Sequence, residues 1–439
     1  MGGRENARIA FVSLGCAKNL VNSEQMMFLL SEAGFIVRGE THGADVVVVN
    51  TCSFIESAKT EAIETILELA RDKADGRVGK IIVAGCLPER YKNEIMREMP
   101  EIDAIVGVGG FDDIVGVVAS ALEGKTRLQS FGDINAPVSE TQRIITTSKA
   151  WAYIKIAEGC DNRCAFCAIP DIRGRFRSRP IERIVTEVDE LAQRGLKEAI
   201  LVAQDVTRYG LDMYGKRRLS DLLSELCKVE GLEWIRLHYL YPDEFDEELI
   251  ETIAINDKIL KYLDIPIQHI NDEILKRMHR RGTGREIRAL FKLLRERIPG
   301  VVLRTSVITG LPGEGEAEFE ELCEFLTDAK IERTGVFPYS PEEGTAAALM
   351  QFPDSEIAVR RAEIIMNIQL GIADEFNRSR IGSVTPVLPE SFSEGQFYGR
   401  SYAESPDVDG YISIKGEGIS QDAIVNVRIT GIEEGEVVQ

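Results

Sequence analysis

Residues 151–167 read WAYIKIAEGCDNRCAFC: an apolar run, 151–157, that leads into a turn carrying Cys160, Cys164 and Cys167. That run is the first of six. Candidate strands at 151–157, 199–203, 233–238, 262–267, 301–308 and 334–339 are separated by helical stretches of 20 residues or more. Alternation at this spacing predicts parallel strands joined by right-handed crossovers. Six βα units in a row predict an open relative of the eightfold βα barrel, whose chemistry sits at the C-terminal ends of the strands. The cysteine triplet stands at such an end. Three thiolates spaced C-x3-C-x2-C can hold three irons of a cubane [4Fe–4S] cluster, and the loop offers no fourth cysteine. One iron is then open to a non-protein ligand, as in catalytic rather than structural metal sites. The competing readings are a structural zinc site, which usually takes four ligands in paired C-x2-C knuckles, and a coincidence of core cysteines.

Upstream, the runs 9–14, 46–49 and 81–84 read as buried strands of an open parallel α/β domain. Helical patterns lie between them, one from Ser23 to Ala33 ending at Gly34 and one from about Ser57 to Arg71. Just past the three strands stand Cys16, Cys52 and Cys86, at intervals of 36 and 34 residues. The strand ends of such a sheet form one crevice, so these cysteines are expected to meet in space as a second set of three thiolates with one vacancy. Three separately buried cysteines are the alternative. Gly-Cys recurs at 15–16, 85–86 and 159–160. Residues 123–147 are polar and turn-rich and read as a linker. A last helix is expected from Ser355 to Ile381, and from Gly382 onward short β-like runs predict a small β-barrel or sandwich.

The chain has 439 residues, 44% of them hydrophobic, enough to exclude global disorder. Its 72 acidic and 52 basic residues leave a net charge of −20, which argues against coating nucleic acid and suits a basic protein partner. The polar start and the short first apolar run predict neither a signal peptide nor a membrane span. A cytosolic location follows, and there eight cysteines are ligands or core residues rather than disulfides.

The 160–167 loop, with Phe166 before its last cysteine, resembles the radical S-adenosylmethionine (SAM) enzymes. That resemblance implies that the open iron chelates SAM and that an electron from the cluster cleaves SAM to a 5′-deoxyadenosyl radical able to abstract hydrogen from an unactivated C–H bond. Segments Ser13-Leu-Gly-Cys-Ala-Lys-Asn-Leu-Val-Asn-Ser-Glu24, Asn50-Thr-Cys-Ser-Phe54 and Ala84-Gly-Cys-Leu-Pro88 look like the N-terminal domain of the methylthiotransferases. The resemblance covers almost the whole chain. It implies an N-terminal domain over 6–122, a radical-SAM partial (β/α)6 barrel over 146–376 and a TRAM-like β-domain over 378–439. It also implies two [4Fe–4S] clusters: a sulfur-handling one on Cys16, Cys52 and Cys86, and a radical-generating one on Cys160, Cys164 and Cys167. One SAM serves as radical source and another as methyl donor. Implied SAM contacts are Phe166, Gln204, Gln268, Arg304, Ser306 and Gly310.

Within this family the chain is similar to the branch that modifies an aspartate β-carbon of the twelfth small-subunit ribosomal protein. The resemblance falls at Leu14-Gly-Cys-Ala-Lys-Asn19, Ala168-Ile-Pro170, Arg173-Gly174, Arg177-Ser-Arg-Pro180 and Arg236-Leu-His-Tyr-Leu-Tyr-Pro242. Asn22 departs from it, since the family commonly has Asp there; little consequence is expected. From Arg378 onward ten acidic residues face five basic ones, the wrong sign for gripping tRNA and the right one for a basic protein. Expected partners are therefore a basic ribosomal protein, an electron donor and a sulfur donor, with no tRNA and no membrane. Rival readings are a tRNA methylthiotransferase and a non-enzymatic iron–sulfur protein that binds RNA or carries electrons.

The alternating Arg173, Arg175, Arg177 and Arg179 read equally as an anion-gripping rim or a solvated strand. The basic run Lys276, Arg277, His279, Arg280, Arg281, Arg285 and Arg288 reads as a solvated face with ribosomal RNA as an alternative. His238 and His269 read as structural, and Cys227 and Cys323 as core. No side-chain acid–base catalyst is named.

Overall fold

The computed structural model describes residues 6–416, 418–421, 423–433 and 436–438. Two compact units form. One holds the chain up to Thr146, the segment Ala157–Arg179 and the stretch Glu342–Thr345; the other holds Thr147–Ile156, Pro180–Pro341 and the chain from Ala346 onward.

In the first unit the strands β1 (Arg8–Ser13), β2 (Ile36–Arg38), β3 (Val46–Thr51), β4 (Lys80–Gly85), β5 (Ala104–Val106) and β6 (Leu128–Ser130) make a parallel sheet in the order β2-β1-β3-β4-β5-β6. Helices α1 (Ala17–Glu32), α2 (Glu56–Ala74), α3 (Cys86–Glu98) and α4 (Ile114–Leu122) are the crossovers. The apolar runs split by parity, as period-2 side chains must. Ile9, Phe11, Val46, Val48, Ile82 and Ala84 pack against Met26, Leu30 and Val118 of α1 and α4. Ala10, Val47, Val49, Ile81 and Val83 pack against Ala62, Ile66 and Met96 of α2 and α3. With both faces covered, a continuous apolar run is what a strand here requires.

Two expectations change. Helix α1 starts at Ala17, not Ser23, because Lys18, Asn19 and Asn22 are polar residues buried on its inner face and hide the apolar period. Segment 123–147 is no free linker: β6 pairs with β5, and buried Arg143 meets Glu24 of α1 at 2.5 Å.

The second unit opens with β7 (Trp151–Lys155). Two short strands, β8 (Ala157–Glu158) and β9 (Arg177–Ser178), and helix α5 (Ile169–Arg173) follow in the first unit. The second unit then continues with α6 (Ile181–Gln193), β10 (Glu198–Val202), α7 (Leu211–Tyr214), α8 (Leu219–Leu226), β11 (Trp234–Leu237), α9 (Glu247–Ile255), β12 (Ile259–Asp264), α10 (Asp272–Arg277), α11 (Gly284–Arg297), β13 (Val302–Thr309), α12 (Glu316–Ala329), β14 (Arg333–Pro338) and α13 (Ser355–Ser379). Its six strands run parallel in sequential order, β7-β10-β11-β12-β13-β14, the partial βα barrel the spacing predicts. The tail adds β15 (Val384–Ser393), β16 (Gln396–Arg400), β17 (Ile412–Ile414), β18 (Val425–Arg428), β19 (Gly431–Glu433) and β20 (Glu436–Val438) as one small sheet around Val387, Ile412, Ile414 and Val427.

A buried charge network fastens the tail sheet to the barrel strands within this unit. Glu198 of β10 accepts from Arg236 of β11 at 2.6 Å and from Arg400 of β16 at 2.7 Å. Arg236 also donates to the carbonyls of Ser401 and Tyr402, and Arg400 to Glu390. No helix among the described residues is long and apolar enough to cross a membrane.

Candidate functional site

In the first sheet the chain order reverses between β1 and β3, the switch point at which open α/β sheets bind ligands. Cys16 and Cys52 follow those two strands, and Cys86 opens α3 directly after the next strand, β4. One carboxamide ties the three ends together. Asn19 donates to the carbonyls of Leu14 and Thr51, at 3.1 and 2.9 Å, and its oxygen lies 3.7 Å from the Cys86 sulfur. Asn50 secures Asn19 in turn, donating to its backbone carbonyl at 2.8 Å.

The recurring Gly-Cys pairs now have a physical cause. Gly15, Gly85 and Gly159 all have positive φ, of 85°, 99° and 76°. A Cβ on Gly15 would lie 2.6 Å from the Cys52 Cβ, one on Gly85 would lie 2.6 Å from the Thr51 carbonyl oxygen, and one on Gly159 would collide with the Arg175 carbonyl. Each glycine lets another loop of the same site close over it.

The three thiols differ. Burial pushes Cys16 up, but Lys18, Arg173 and backbone N–H groups outweigh it and leave this thiol below its ordinary value. Burial and the neighbouring Cys16 raise Cys52. Burial raises Cys86 to about 12 despite the pull of Arg173.

The second triplet belongs to the same unit. Its loop hangs between the paired strands β8 and β9, with the Asn162 N–H 3.4 Å from the Cys160 sulfur and the Cys167 N–H donating to the Cys164 carbonyl. Arg173 of α5, read as part of an anion-gripping rim or a solvated strand, is instead 1% exposed. It pairs with Glu158 at 2.8 Å and donates to Asn19, and its charge pulls on the nearby Cys86 thiol. Arg177 donates to the carbonyls of Arg173 and Arg175, and Arg179 pairs with Glu140. Asn22 is not a bystander: its oxygen faces Arg173 at 3.4 Å.

Among the described residues no group of three or more His, Cys, Asp or Glu converges on a point that would hold a single metal ion. A cubane spreads its thiolates over separate irons, so its ligands do not share one centre. Each triplet fits that demand by donor chemistry, three sulfurs of which Cys16, Cys52 and Cys160 are already met by backbone N–H groups. Ser53, fully buried beside Cys52, has a hydroxyl without a partner that can donate to sulfur.

The candidate SAM contacts fall in both units. Phe166 is half-buried on the triplet loop. In the second unit, Arg304 and Ser306 lie on the less buried face of β13, and Gln268 joins them, its N–H donating to the Ser306 carbonyl at 2.9 Å. Gln204 stands just past β10, on another strand end. Arg304 is held by Asp264 at 2.7 Å. Gly310 needs no ligand to explain it: a Cβ there would strike Ala358 of α13, and its N–H donates to Glu314.

Elsewhere, Arg280 and Arg281 stack on Tyr241 at 4.2 and 4.9 Å instead of lying free in the basic run. His238 bonds Ser405 at 2.8 Å, and the His269 Nδ1 accepts from the Asn271 N–H. Cys227 and Cys323 are half-buried at the barrel's helices rather than core. In the tail, Glu390, Glu404 and Asp409 turn inward to Arg400, Arg380 and Tyr262. Exposed Glu394, Asp407 and Glu433 are matched there by exposed Arg378, Lys415 and Arg428. The acidic excess of five therefore rests on Asp409, whose partner Tyr262 is neutral, on Glu417, Asp422 and Glu434, outside the described residues, and on Glu436.

A switch-point cysteine crevice followed by a six-stranded βα array with a C-x3-C-x2-C loop defines a radical SAM protein, and residues 154–326 match the Radical SAM superfamily. Residues 8–107 match Uncharacterized protein family UPF0004, and residues 381–438 the TRAM domain. The "Ribosomal protein uS12 methylthiotransferase RimO" of Clostridium botulinum (strain Okra / Type B1) is 45% identical over 438 residues, covering 99% of this chain and 98% of that protein. The protein of the same name from Acetivibrio thermocellus is 46% identical, covering 98% of this chain and 97% of its own length. The chain belongs to this family of RimO methylthiotransferases. Among solved structures, the radical S-adenosylmethionine methyltransferase TsrM from Kitasatospora setae shares the fold, with a TM-score of 0.59 and 16% identity over 95% of this chain and 83% of that one.

Proposed function

We propose that this chain is a radical SAM methylthiotransferase that adds a methylthio group to the β-carbon of an aspartate in ribosomal protein uS12. The full-length similarity to uS12 methylthiotransferases carries the reading, since it spans the cysteine domain, the barrel and the tail together. In this reading Cys160, Cys164 and Cys167 hold one [4Fe–4S] cluster and Cys16, Cys52 and Cys86 the other. When bound, the clusters and SAM supply hydrogen abstraction, sulfur and the methyl group.

The chain's own part is to bind and orient. Asn19 and the three glycines fix where the thiolates stand. Arg304, Ser306 and Gln268 present a polar strand edge for SAM, with Gln204 and Gly310 as further contacts of the same unit. Arg304 is suited to a carboxylate because its guanidinium is permanently charged and Asp264 fixes its orientation. The domains divide as 6–122, 146–376 and 378–439. An electron donor and a sulfur donor complete the reaction, and a ribosomal substrate places the enzyme in the cytosol.

The test is anaerobic. Reconstituted protein is given SAM, sulfide and a reductant with either uS12 or tRNA, and products are read by mass spectrometry. One methylthio group on a uS12 aspartate is expected; modified tRNA beside untouched uS12 overturns the proposal. Changing Cys16, Cys52 and Cys86 together to Ala should halve the iron content, and retention of two clusters would overturn the ligand assignment.

A further inference from the structure

Arg173 is a ligand in neither triplet, yet it touches the setting of both. It closes α5 six residues past Cys167, and its guanidinium is buried. On one side lies Glu158, two residues before Cys160, at 2.8 Å. On the other are the oxygens of Asn19 and Asn22 and the sulfur of Cys86. Asn19 extends the contact to the strand ends of Cys16 and Cys52 through the Leu14 and Thr51 carbonyls. A guanidinium cannot shed its proton, so the site holds a permanent positive charge. Burying it is unfavourable unless anionic groups surround it. Glu158 provides one, and the rest of the fork faces the cysteine crevice, which would turn anionic if its three sulfurs bound metal.

We propose that Arg173 is a positioning residue that fastens the 158–173 hairpin onto the strand ends of Cys16, Cys52 and Cys86, and whose charge raises the electron affinity of the cluster those three cysteines hold. The planar fork does the fastening, because it reaches a carboxylate and two carboxamides at once. The charge acts on reduction, since one added electron makes the thiolate-bound group more negative beside a fixed cation. The second half rests on the ligand assignment proposed above; the first does not.

The test uses the full chain carrying Arg173→Met, Arg173→Lys or Glu158→Gln. In iron-free protein, amide hydrogen exchange over 158–174 should quicken at least tenfold in Arg173→Met, while amides of β4 keep their protection. Unchanged exchange overturns the positioning role. In a background with Cys160, Cys164 and Cys167 changed to Ala, a redox titration reads the remaining cluster alone. Arg173→Met should lower its electron affinity at least tenfold, about 59 mV for a one-electron couple. Arg173→Lys should restore the midpoint without restoring the exchange protection. Glu158→Gln loosens the same hairpin but removes the opposing charge, so its midpoint should rise; a merely structural role predicts the same direction for both variants and would refute the electrostatic half. If that background binds no iron, the ligand assignment falls with the electrostatic half, and exchange alone still decides the positioning role.

Discussion

Replacing Glu198 by glutamine removes one negative charge from the centre of the second unit. Glu198, Arg236 and Arg400 are each 0% exposed, so no water replaces what is lost. Arg400 keeps Glu390 at 2.6 Å, but Arg236 is left with the neutral carbonyls of Ser401 and Tyr402 and the face of Tyr262 at 4.9 Å. Breaking a buried pair by removing one partner costs about 3–5 kcal/mol, chiefly because the surviving charge is stranded. Glutamine fits the space and still accepts one hydrogen bond, which places the expected loss near the lower end, about 3 kcal/mol. Because Glu198 bridges β10 to the tail strand β16, the tail should loosen first. The assay is urea unfolding followed both by tryptophan fluorescence of Trp151, which stacks under Arg400, and by exchange of the amides of β15 and β16. The control is Glu225→Gln, whose partner Lys228 lies on the exposed surface and whose loss should cost no more than about 0.5 kcal/mol. If the two variants unfold at the same urea concentration, the network does not hold the tail and the reasoning fails.

Gly15→Ala should destabilise the first unit by about 1–2 kcal/mol for the left-handed backbone alone. About 1–3 kcal/mol of overpacking against Cys52 adds to it. Iron content after reconstitution should fall in parallel, and a fully loaded, equally stable variant would show that the close approach is not needed. Asn19→Ala leaves the carbonyls of Leu14 and Thr51 and the fork of Arg173 without their shared partner, at about 1–3 kcal/mol per buried orphan; thiol alkylation of Cys16, Cys52 and Cys86 in iron-free protein should quicken together, and quickening at one cysteine alone would refute a common tie. Glu404 is subject to burial, but Arg380 and Arg333 outweigh it and hold its carboxyl at about 2, and Glu198 is likewise lowered. Depressed carboxyls stabilise the fold above the ordinary carboxylate range and lose that contribution as pH falls toward about 2. The tail should therefore loosen in that acid window, with Glu390, raised by burial, trimming the slope. Near-ultraviolet circular dichroism against pH checks it, and a flat profile from about pH 5 to pH 2 counts against the assignment.

The strand-end cysteines were legible because a strand covered on both faces must be continuously apolar, and each cysteine follows such a run directly. The βα order was legible for the same reason. What escaped depends on direction. Nothing local distinguishes Arg173, turned inward to Glu158 and Asn19, from Arg175, which is exposed two residues on; the partner that buries Arg173 lies 154 positions away. Lys18, Asn19 and Asn22 broke the apolar period of α1 because that face lines the crevice. The charge count of the tail could not tell the inward Glu390, Glu404 and Asp409 from the carboxylates that meet solvent. A Cys-Ala-Lys-Asn run on the first turn after a strand, with a glutamate just before Gly159-Cys160, is the signal that would have pointed to the Asn19–Arg173–Glu158 chain.

Glu342 gives the first unit an unusual schedule. It is buried against Arg90, 2.7 Å away, and Lys59, and the Glu343 carbonyl takes the other arm of Arg90. These stitches join residues 252 to 283 positions apart, and at about 5–20 residues per second the shortest gap alone takes roughly 13–50 s to synthesise. Throughout that interval the N-terminal sheet has its thiols and its local ties, Lys59 to Glu56 and Arg90 to the Ser53 carbonyl, but lacks its last carboxylate. A product truncated before Glu342 therefore carries the first unit without the carboxylate and carbonyl that close over Arg90.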